Sequence, residues 1–352
     1  MKADRRTAFS EHMLATLTGG ALTMLVSIGY RLGLFEAAAL GAGTSFDLAE
    51  RAGLEERYVR EWLGAMVTGG FFHYDQDSGE YLLPPEHAAL LTGDTAANVA
   101  PVASMLRAFS GALPELERCF AQGGGVDHES FAPHFAAAGA AFGDTWRRIY
   151  DEHLVGGFLG AVPGLNARLA AGTRMLDLGC GTGHAVNVAA RAFPASRFLG
   201  VDIDPGVIGL ARAERDRLGL ANAAFAVADA AVFTARSGFE VITAFDAVHD
   251  QRSPLEMLRR VREALAPGGV FVMVDANFSS QLEENVGNPF APLCYAISLM
   301  YCVTVSLADR GAALGAMWGI ERARALLAQA GFGQVDVIAS PRPQNCIFAC
   351  QP

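Results

Sequence analysis

Residues 174–183, Arg-Met-Leu-Asp-Leu-Gly-Cys-Gly-Thr-Gly, limit what this chain can fold into more than any other stretch. A short apolar strand, Met175 to Leu178, runs into a loop with glycine at 179, 181 and 183, and helix formers follow from His184 to Phe193. Glycines at alternate positions let the backbone turn through φ > 0 and let a ligand press against bare main chain. The N–H groups that open the next helix then point at whatever sits there. Many nucleotide-binding folds use such a loop, so its neighbours decide its meaning.

Downstream, apolar strands and helical runs alternate: strand 175–178, helix 184–193, strand 197–201, helix 205–218, strands 223–227 and 239–245, helix 253–266, strand 270–275. This alternation predicts an α/β fold with a Rossmann-like, doubly wound parallel sheet. A helix over 320–330 stops at Gly331, and apolar runs 334–339 and 345–350 are separated only by a short segment holding Pro341 and Pro343. A connection that short favours a C-terminal antiparallel hairpin at the sheet edge.

Upstream, residues 10–40 read as one or two apolar helices. Thr44 to Leu54 reads as a capped short helix closed by Gly53. Glu55 to Thr68 reads as a second helix with Tyr58, Val59, Trp62, Leu63, Met66 and Val67 on its inner face. Residues 71–83 alternate around Asp77-Ser78-Gly79 and suggest a hairpin. Helix, turn, helix and hairpin make an all-α/winged-helix domain ahead of the sheet. Its second helix carries Glu55, Glu56 and Glu61 against Arg57 and Arg60, and the hairpin tip carries Asp75, Asp77 and Glu80. A DNA reader needs a basic stripe there, so no nucleic-acid partner is expected.

The formal net charge is −10, which gives no general attraction to nucleic acid or anionic membrane. Two uncharged stretches, 13–30 and 285–308, reach the length of a membrane span. Hydroxyl residues and glycines in the first, and asparagines and prolines in the second, favour buried helices, one at a subunit or domain contact and one over a pocket, so no membrane partner is expected. The six cysteines form no C-x-x-C pair and no zinc spacing, and a cytoplasmic location follows as the default.

The second strand ends in Val201-Asp202, 19 positions after Gly183, where a carboxylate can accept hydrogen bonds from both ribose hydroxyls. The third ends in Ala228-Asp229-Ala230, suited to an exocyclic adenine amine. Together, Asp177-Leu-Gly-Cys-Gly-Thr-Gly183, Val201-Asp202, Ala228-Asp229-Ala230 and Leu265-Ala-Pro-Gly-Gly269 resemble the successive motifs of class I S-adenosylmethionine-dependent methyltransferases. The resemblance implies S-adenosylmethionine as cofactor. It puts Gly179 and Gly181 at the methionine moiety with Asp177 supporting its amine. Asp202 then belongs on the ribose, Ile203 against the adenine face, and Asp229 with Ala230 at the adenine edge. Phe245 is counted with these cofactor residues. The wider architecture is similar to small-molecule methyltransferases with an N-terminal winged-helix dimerisation domain, including plant-type O-methyltransferases, and so implies a homodimer.

The catalytic candidate follows the fourth strand, in Phe245-Asp246-Ala247-Val248-His249-Asp250. In plant-type O-methyltransferases a His-Asp pair at this point supplies the general base, and His249-Asp250 matches it. An imidazole beside the cofactor can take a proton from a hydroxyl or an amine; the other reading is that His249 caps a helix or fixes the loop. Phe290, Tyr295 and Met300, in the proline-broken stretch after the fifth strand, are read as a cover over the acceptor. Trp318 closes the other side, and Asp246 and Asp250 are further acceptor contacts. No catalytic metal is expected. The chain is thus read as a winged-helix dimerisation domain (1–100), a helical linker and pocket-covering segment (101–170) and an S-adenosylmethionine-binding domain (171–352). The expected function is methyl transfer to a small apolar or aromatic metabolite, with oxygen favoured as nucleophile. The rivals are an enzyme that binds the same cofactor for other chemistry and a cofactor-binding winged-helix regulator.

Overall fold

The structure, a computed structural model, describes residues 2–138, 141–233 and 238–352. Residues 139 and 140 of the alanine-rich linker lie outside the described residues. The chain forms two compact units, Met1–Gly111 with Ala132–Arg148, and Ala112–Phe131 with Ile149–Pro352. The segment 101–170, read from the sequence as a third piece, is therefore divided between the two.

In the first unit, helices Lys2–Arg31, Leu34–Ala39, Ser45–Ala52 and Glu56–Thr68 precede a hairpin of β1 (His73–Asp75) and β2 (Glu80–Leu82). A capping box starts the third of these helices: the Asp47 N–H donates to Thr44 Oγ1, and the Thr44 N–H donates to Asp47 Oδ2 at 2.8 Å. Val59, Trp62, Leu63 and Met66 recur at i, i+3, i+4 and i+7, and all are buried. Tyr58, assigned to the same inner face, precedes that stripe and is 81% exposed. Trp62 packs edge-on against Phe35 and Phe72 and donates its indole N–H to Leu25 O at 2.9 Å. The helix Lys2–Arg31 can come this close because residue 29 is glycine; a Cβ there would lie 2.5 Å from the Trp62 ring. Within the single chain, Phe9, Leu14 and Leu17 of that helix are each about two-thirds exposed. It and Ala291–Ala308 are long and apolar enough to cross a membrane by length and composition alone.

The second unit holds a seven-stranded sheet of β3 (Arg174–Leu178), β4 (Arg197–Asp202), β5 (Ala223–Val227), β6 (Phe239–Phe245), β7 (Leu265–Ala276), β8 (Gln334–Ala339) and β9 (Asn345–Gln351). The order is β5-β4-β3-β6-β7-β9-β8; the first five strands are parallel, and β9 pairs antiparallel with both β7 and β8. Val270 to Val274 are buried one after another, as expected for a strand covered on both faces. The doubly wound sheet with its terminal hairpin is therefore as the alternation predicts.

Two boundaries differ. The helix expected over 253–266 is Pro254–Ala264, and β7 begins at Leu265 rather than 270. Leu265 is already extended, and Pro267 disfavours helical geometry at the residue before it. The end of the segment read as a helical linker is a helix Ala141–His153, a π-helical turn Leu154–Leu159 and a helix Leu165–Ala171. Gly156, Gly157, Gly160 and Pro163 interrupt it.

Candidate active site

β3 and its two parallel neighbours define the place where a ligand can sit. Successive connections leave β3 toward β4 on one side and β6 on the other, and the crevice beyond the strands' carboxyl ends is the usual binding site of such sheets. Into it lead the glycine loop after β3, Asp202 at the end of β4, Asp229 after β5, and Asp246 to Asp250 after β6.

Each glycine of the first loop has its own reason. All three have positive φ, at 70°, 51° and 71° for Gly179, Gly181 and Gly183. A Cβ on Gly183 would meet Ala211 and Phe225 at 2.5 Å, so this glycine lets the following helix pack closely. Gly181 has open space where its Cβ would be, which leaves bare main chain facing the crevice. Its N–H donates to Asp202 Oδ2 at 2.9 Å, and Asp202 Oδ1 accepts from the Asp204 N–H at 3.0 Å. The carboxylate of Asp202 is thereby fixed against the loop. Ile203 beside it is 67% exposed, an apolar surface with no protein cover. Asp229 accepts from the Ala231 N–H at 2.8 Å, and Ala230 is buried in the core. These features fit a nucleoside: a flat apolar platform, carboxylates on either side of it, and a glycine cradle.

Asp177 lies beneath the loop and is 2% exposed, with Oδ1 accepting from Thr243 Oγ1 at 2.6 Å. Burial lifts its pKa to about 7, although the Thr243 bond opposes the rise. A buried carboxylate with a single donor among the described residues has room to receive a cation. Phe245, at the end of β6, is buried against Tyr150 and Phe158, with ring centroids 5.4 and 5.9 Å away. Tyr150 and Phe158, from the segment before the glycine loop, thus reach the end of β6.

The residue after Phe245 is in an unusual conformation: Asp246 has φ 52°, a left-handed geometry that costs a non-glycine residue energy. The turn brings Asp246, His249 and Asp275 together, with one donor atom from each lying within 4.8 Å of the others. His249 is 2% exposed. Its Nδ1–H donates to Asp275 Oδ1 at 2.8 Å, and its Nε2 faces Asp250 Oδ1 at 3.4 Å. The Cys302 thiol is hydrogen-bonded to both His249 and Asp250. Burial pulls the His249 pKa down, but the charges of Asp275 and then Asp250 outweigh it and hold it well above the usual value. Burial also raises Asp246 to about 6, while the His249 charge works against the rise. His249, Asp250 and Cys302 also crowd within 4.8 Å, close enough to hold a cation. The hydrogen bonds just described account for that crowding.

Asp275 was not read from the sequence, although the signal was present. It is the one acid in the buried run Val270-Phe-Val-Met-Val-Asp275, near the end of the strand that pairs with β6, whose following loop carries His249. Cys302, too, was not singled out by the sequence. Trp318, read as a wall of the acceptor site, is 2% exposed and donates its indole N–H to Asp275 Oδ1 at 3.0 Å. Phe290 and Tyr295 each keep 37% of their surface exposed, and Met300 is half-buried. From that segment it is the π-helical turn Ser298–Val303 that reaches the histidine, through Cys302. Its Tyr301 lies against Phe131, with ring centroids 5.1 Å apart.

In the first unit, both arginines of the helix Glu56–Thr68 are in ion pairs with glutamates of the same helix, Arg57 with Glu61 at 2.6 Å and Arg60 with Glu56 at 3.3 Å.

Residues 20–93 match the Rv2258c-like winged HTH domain family, and residues 169–331 match a methyltransferase domain family. Over 123 residues the chain is 32% identical to the trans-aconitate 2-methyltransferase of Methylobacterium radiotolerans, covering 35% of this chain and 43% of that protein. The chain thus spans less than half the length of that curated relative. Among solved structures it resembles mitomycin 7-O-methyltransferase, with a TM-score of 0.71 at 20% identity over 99% of both chains. It also resembles human N-acetylserotonin methyltransferase, solved with S-adenosylmethionine, with a TM-score of 0.69 at 17% identity over 97% of both. At these identities the likeness concerns the fold. The chain therefore joins a winged helix-turn-helix domain to a methyltransferase domain of the class I, Rossmann-like type.

Proposed function

We propose that this chain is an S-adenosylmethionine-dependent methyltransferase that methylates a small, uncharged acceptor, preferably at oxygen, with His249 as the proton-accepting group. The observation that carries this reading is the His249–Asp275 pair. It is an imidazole at the carboxyl end of the strand next to the glycine loop, with Nδ1 bound to a buried carboxylate at 2.8 Å. That bond leaves Nε2 as the nitrogen able to take up a proton.

When bound, S-adenosylmethionine supplies an electrophilic methyl group on a sulfonium, a good leaving group already in place. The chain's own residues then have two tasks. Gly179, Gly181, Asp177, Asp202, Ile203 and Asp229 hold the cofactor, and Phe245 supports the floor of the site. His249 receives the proton that the acceptor hydroxyl loses. Aligning nucleophile and methyl group is worth on the order of 7–11 kcal/mol. A positioned base adds about 10²–10⁴-fold, roughly 3–5 kcal/mol. Positioning therefore contributes the larger share.

The curated relative named above acts, by its name, on trans-aconitate, which is anionic. Asp246, Asp250 and Asp275 surround His249 here, and a second anion beside three carboxylates would be repelled. An uncharged or aromatic hydroxyl suits this site better. Phe290, Tyr295 and Met300 contribute an apolar border on the acceptor side. We further read the protein as a cytoplasmic homodimer that binds neither DNA nor membrane. The self-paired arginines of the winged helix count against DNA, and the free cysteines agree with a reducing compartment. The test is release of S-adenosylhomocysteine in the presence of a panel of phenols, alcohols and carboxylates. Turnover of hydroxyl acceptors and not of trans-aconitate is expected. Tight S-adenosylmethionine binding with no S-adenosylhomocysteine from any acceptor would favour different chemistry on the same cofactor.

A further inference from the structure

Asp275 is bonded one-sidedly. Its Oδ1 accepts from three donors: His249 Nδ1–H at 2.8 Å, the Ala276 N–H at 2.8 Å and the Trp318 indole N–H at 3.0 Å. Its Oδ2 is buried with no hydrogen-bond partner among the described residues, and the side chain is 0% exposed. A carboxylate that concentrates its acceptor capacity on one oxygen divides its negative charge among those donors. The share that reaches His249 therefore depends on the other two.

The indole itself is held rigidly. The Trp318 N–H donates to Gly315 O at 3.1 Å, the Trp318 carbonyl accepts from Ser280 Oγ at 2.7 Å, and the Ile320 N–H donates to Phe278 O at 2.9 Å. Gly319 follows at φ 81°, where any Cβ would collide with the backbone of Ser279 and Ser280. Trp318 is thus fixed from both sides, and its ring belongs to the core that contains Leu258, Phe271 and Phe348.

We propose that Trp318 is a positioning residue for His249, acting through Asp275: its indole N–H takes part of the charge of Oδ1 and so limits how strongly that carboxylate holds the imidazolium. This rests on the reading of His249 as the proton acceptor. The other charged or titratable groups facing the imidazole are Asp250 in its own loop, Asp246 at the end of β6 and Cys302 on the π-helical turn. Arg342 acts on Asp246 and His128 on Asp250. Among the described residues none of these five groups is a donor to Asp275, so a change at Trp318 reaches His249 by one route.

The experiment is a pH titration of ¹⁵N-histidine-labelled full-length protein by NMR, with the His249 signal assigned by its loss in His249→Gln. In Trp318→Phe, which keeps a ring but has no N–H, Asp275 is left with two donors. The His249 midpoint should rise by about half a pH unit or more, a threefold or larger shift in the proton-binding constant. Asp275→Asn should lower it. If an acceptor has been found, the acid side of the kcat/KM profile should move up with the midpoint in Trp318→Phe, and the alkaline plateau should stay. An unchanged or lowered midpoint in folded Trp318→Phe, or an activity loss equal at every pH, overturns the proposal. Should Trp318→Phe fail to fold, the wild-type indole signal of Trp318 serves instead. It must shift as His249 titrates, and a flat response overturns the proposal equally. Neither NMR readout uses an acceptor, so failure of the proposal is separable from failure of the methyl-transfer reading, which S-adenosylhomocysteine formation tests.

Discussion

His249 and Asp177 are both buried ionisable groups, and both have pKa values shifted toward the protonated form. For His249 the cause is attraction to Asp275 and Asp250 working against burial. As the proton acceptor it must be neutral, so turnover should climb as pH rises through its raised folded value and then level off. His249→Ala should keep S-adenosylmethionine affinity, read by calorimetry, while kcat falls at least about tenfold. Unchanged turnover would remove the imidazole from the chemistry. For Asp177 the cause is burial itself. Its folded value, about 7, lies above the roughly 3.9 of an unfolded chain. The stability it contributes is therefore full below about pH 4 and is lost as pH rises through 7. Asp177→Asn, which still accepts from Thr243, should raise the Tm of the ligand-free protein at pH 8 and change it little at pH 5. The same substitution removes the carboxylate that we propose receives the cofactor's amine. Affinity should drop about 10–100-fold if a charge-assisted bond of about 1.5–3 kcal/mol is lost.

At the scale of elements, the loop after β3 works because two requirements meet in it. The chain must turn through left-handed geometry, and the next helix must lie almost against its neighbour. Gly183→Ala violates both, with φ 71° and a Cβ placed 2.5 Å from Ala211 and the Phe225 ring. The backbone strain alone is about 1–3 kcal/mol. A unit of this size should lose roughly 2–4 °C of Tm for each kcal/mol. The helix that opens there is also fixed from its side: His184 is bracketed by Glu214 and Asp151, each 3.0 Å from a ring nitrogen. The two π-helical turns, Leu154–Leu159 and Ser298–Val303, stand out among the helical elements. Each brings a buried side chain to the site, Phe158 against Phe245 and Cys302 against His249.

For the whole molecule, the outstanding surface is the N-terminal helix. Phe9, Leu14 and Leu17 are largely exposed on it, and a contiguous apolar stripe is costly to leave in water. Burying it against a second copy is the dimer we propose. Leu14→Glu together with Leu17→Glu should halve the mass measured by analytical ultracentrifugation without unfolding the first unit, whose core begins at Val26. An unchanged mass would move the dimer contact elsewhere or show that none forms.

Much of this protein was legible from local pattern. The strand–loop–helix at 174–193, the alternation after it, the terminal hairpin and the capped winged helix each depend on residues near one another in sequence, through periodicity, glycine conformation and caps. The acids at strand ends, Asp177, Asp202 and Asp229, could be placed because a parallel sheet gathers the carboxyl ends of its strands at one edge. What partners His249 could not be found in this way. Asp275 comes from the adjoining strand, Cys302 from a turn more than fifty positions on, and Trp318 from a loop behind them, and nothing in their spacing links them. Tyr58 and Trp318 show the same limit from the other side: an aromatic residue near an apolar stripe can face water or lie in the core, and only what packs opposite decides. The sequence determined the cradle for the cofactor because that cradle is backbone geometry. The tertiary structure alone decided the surroundings of His249, because they are assembled from separate elements and owe their properties to burial.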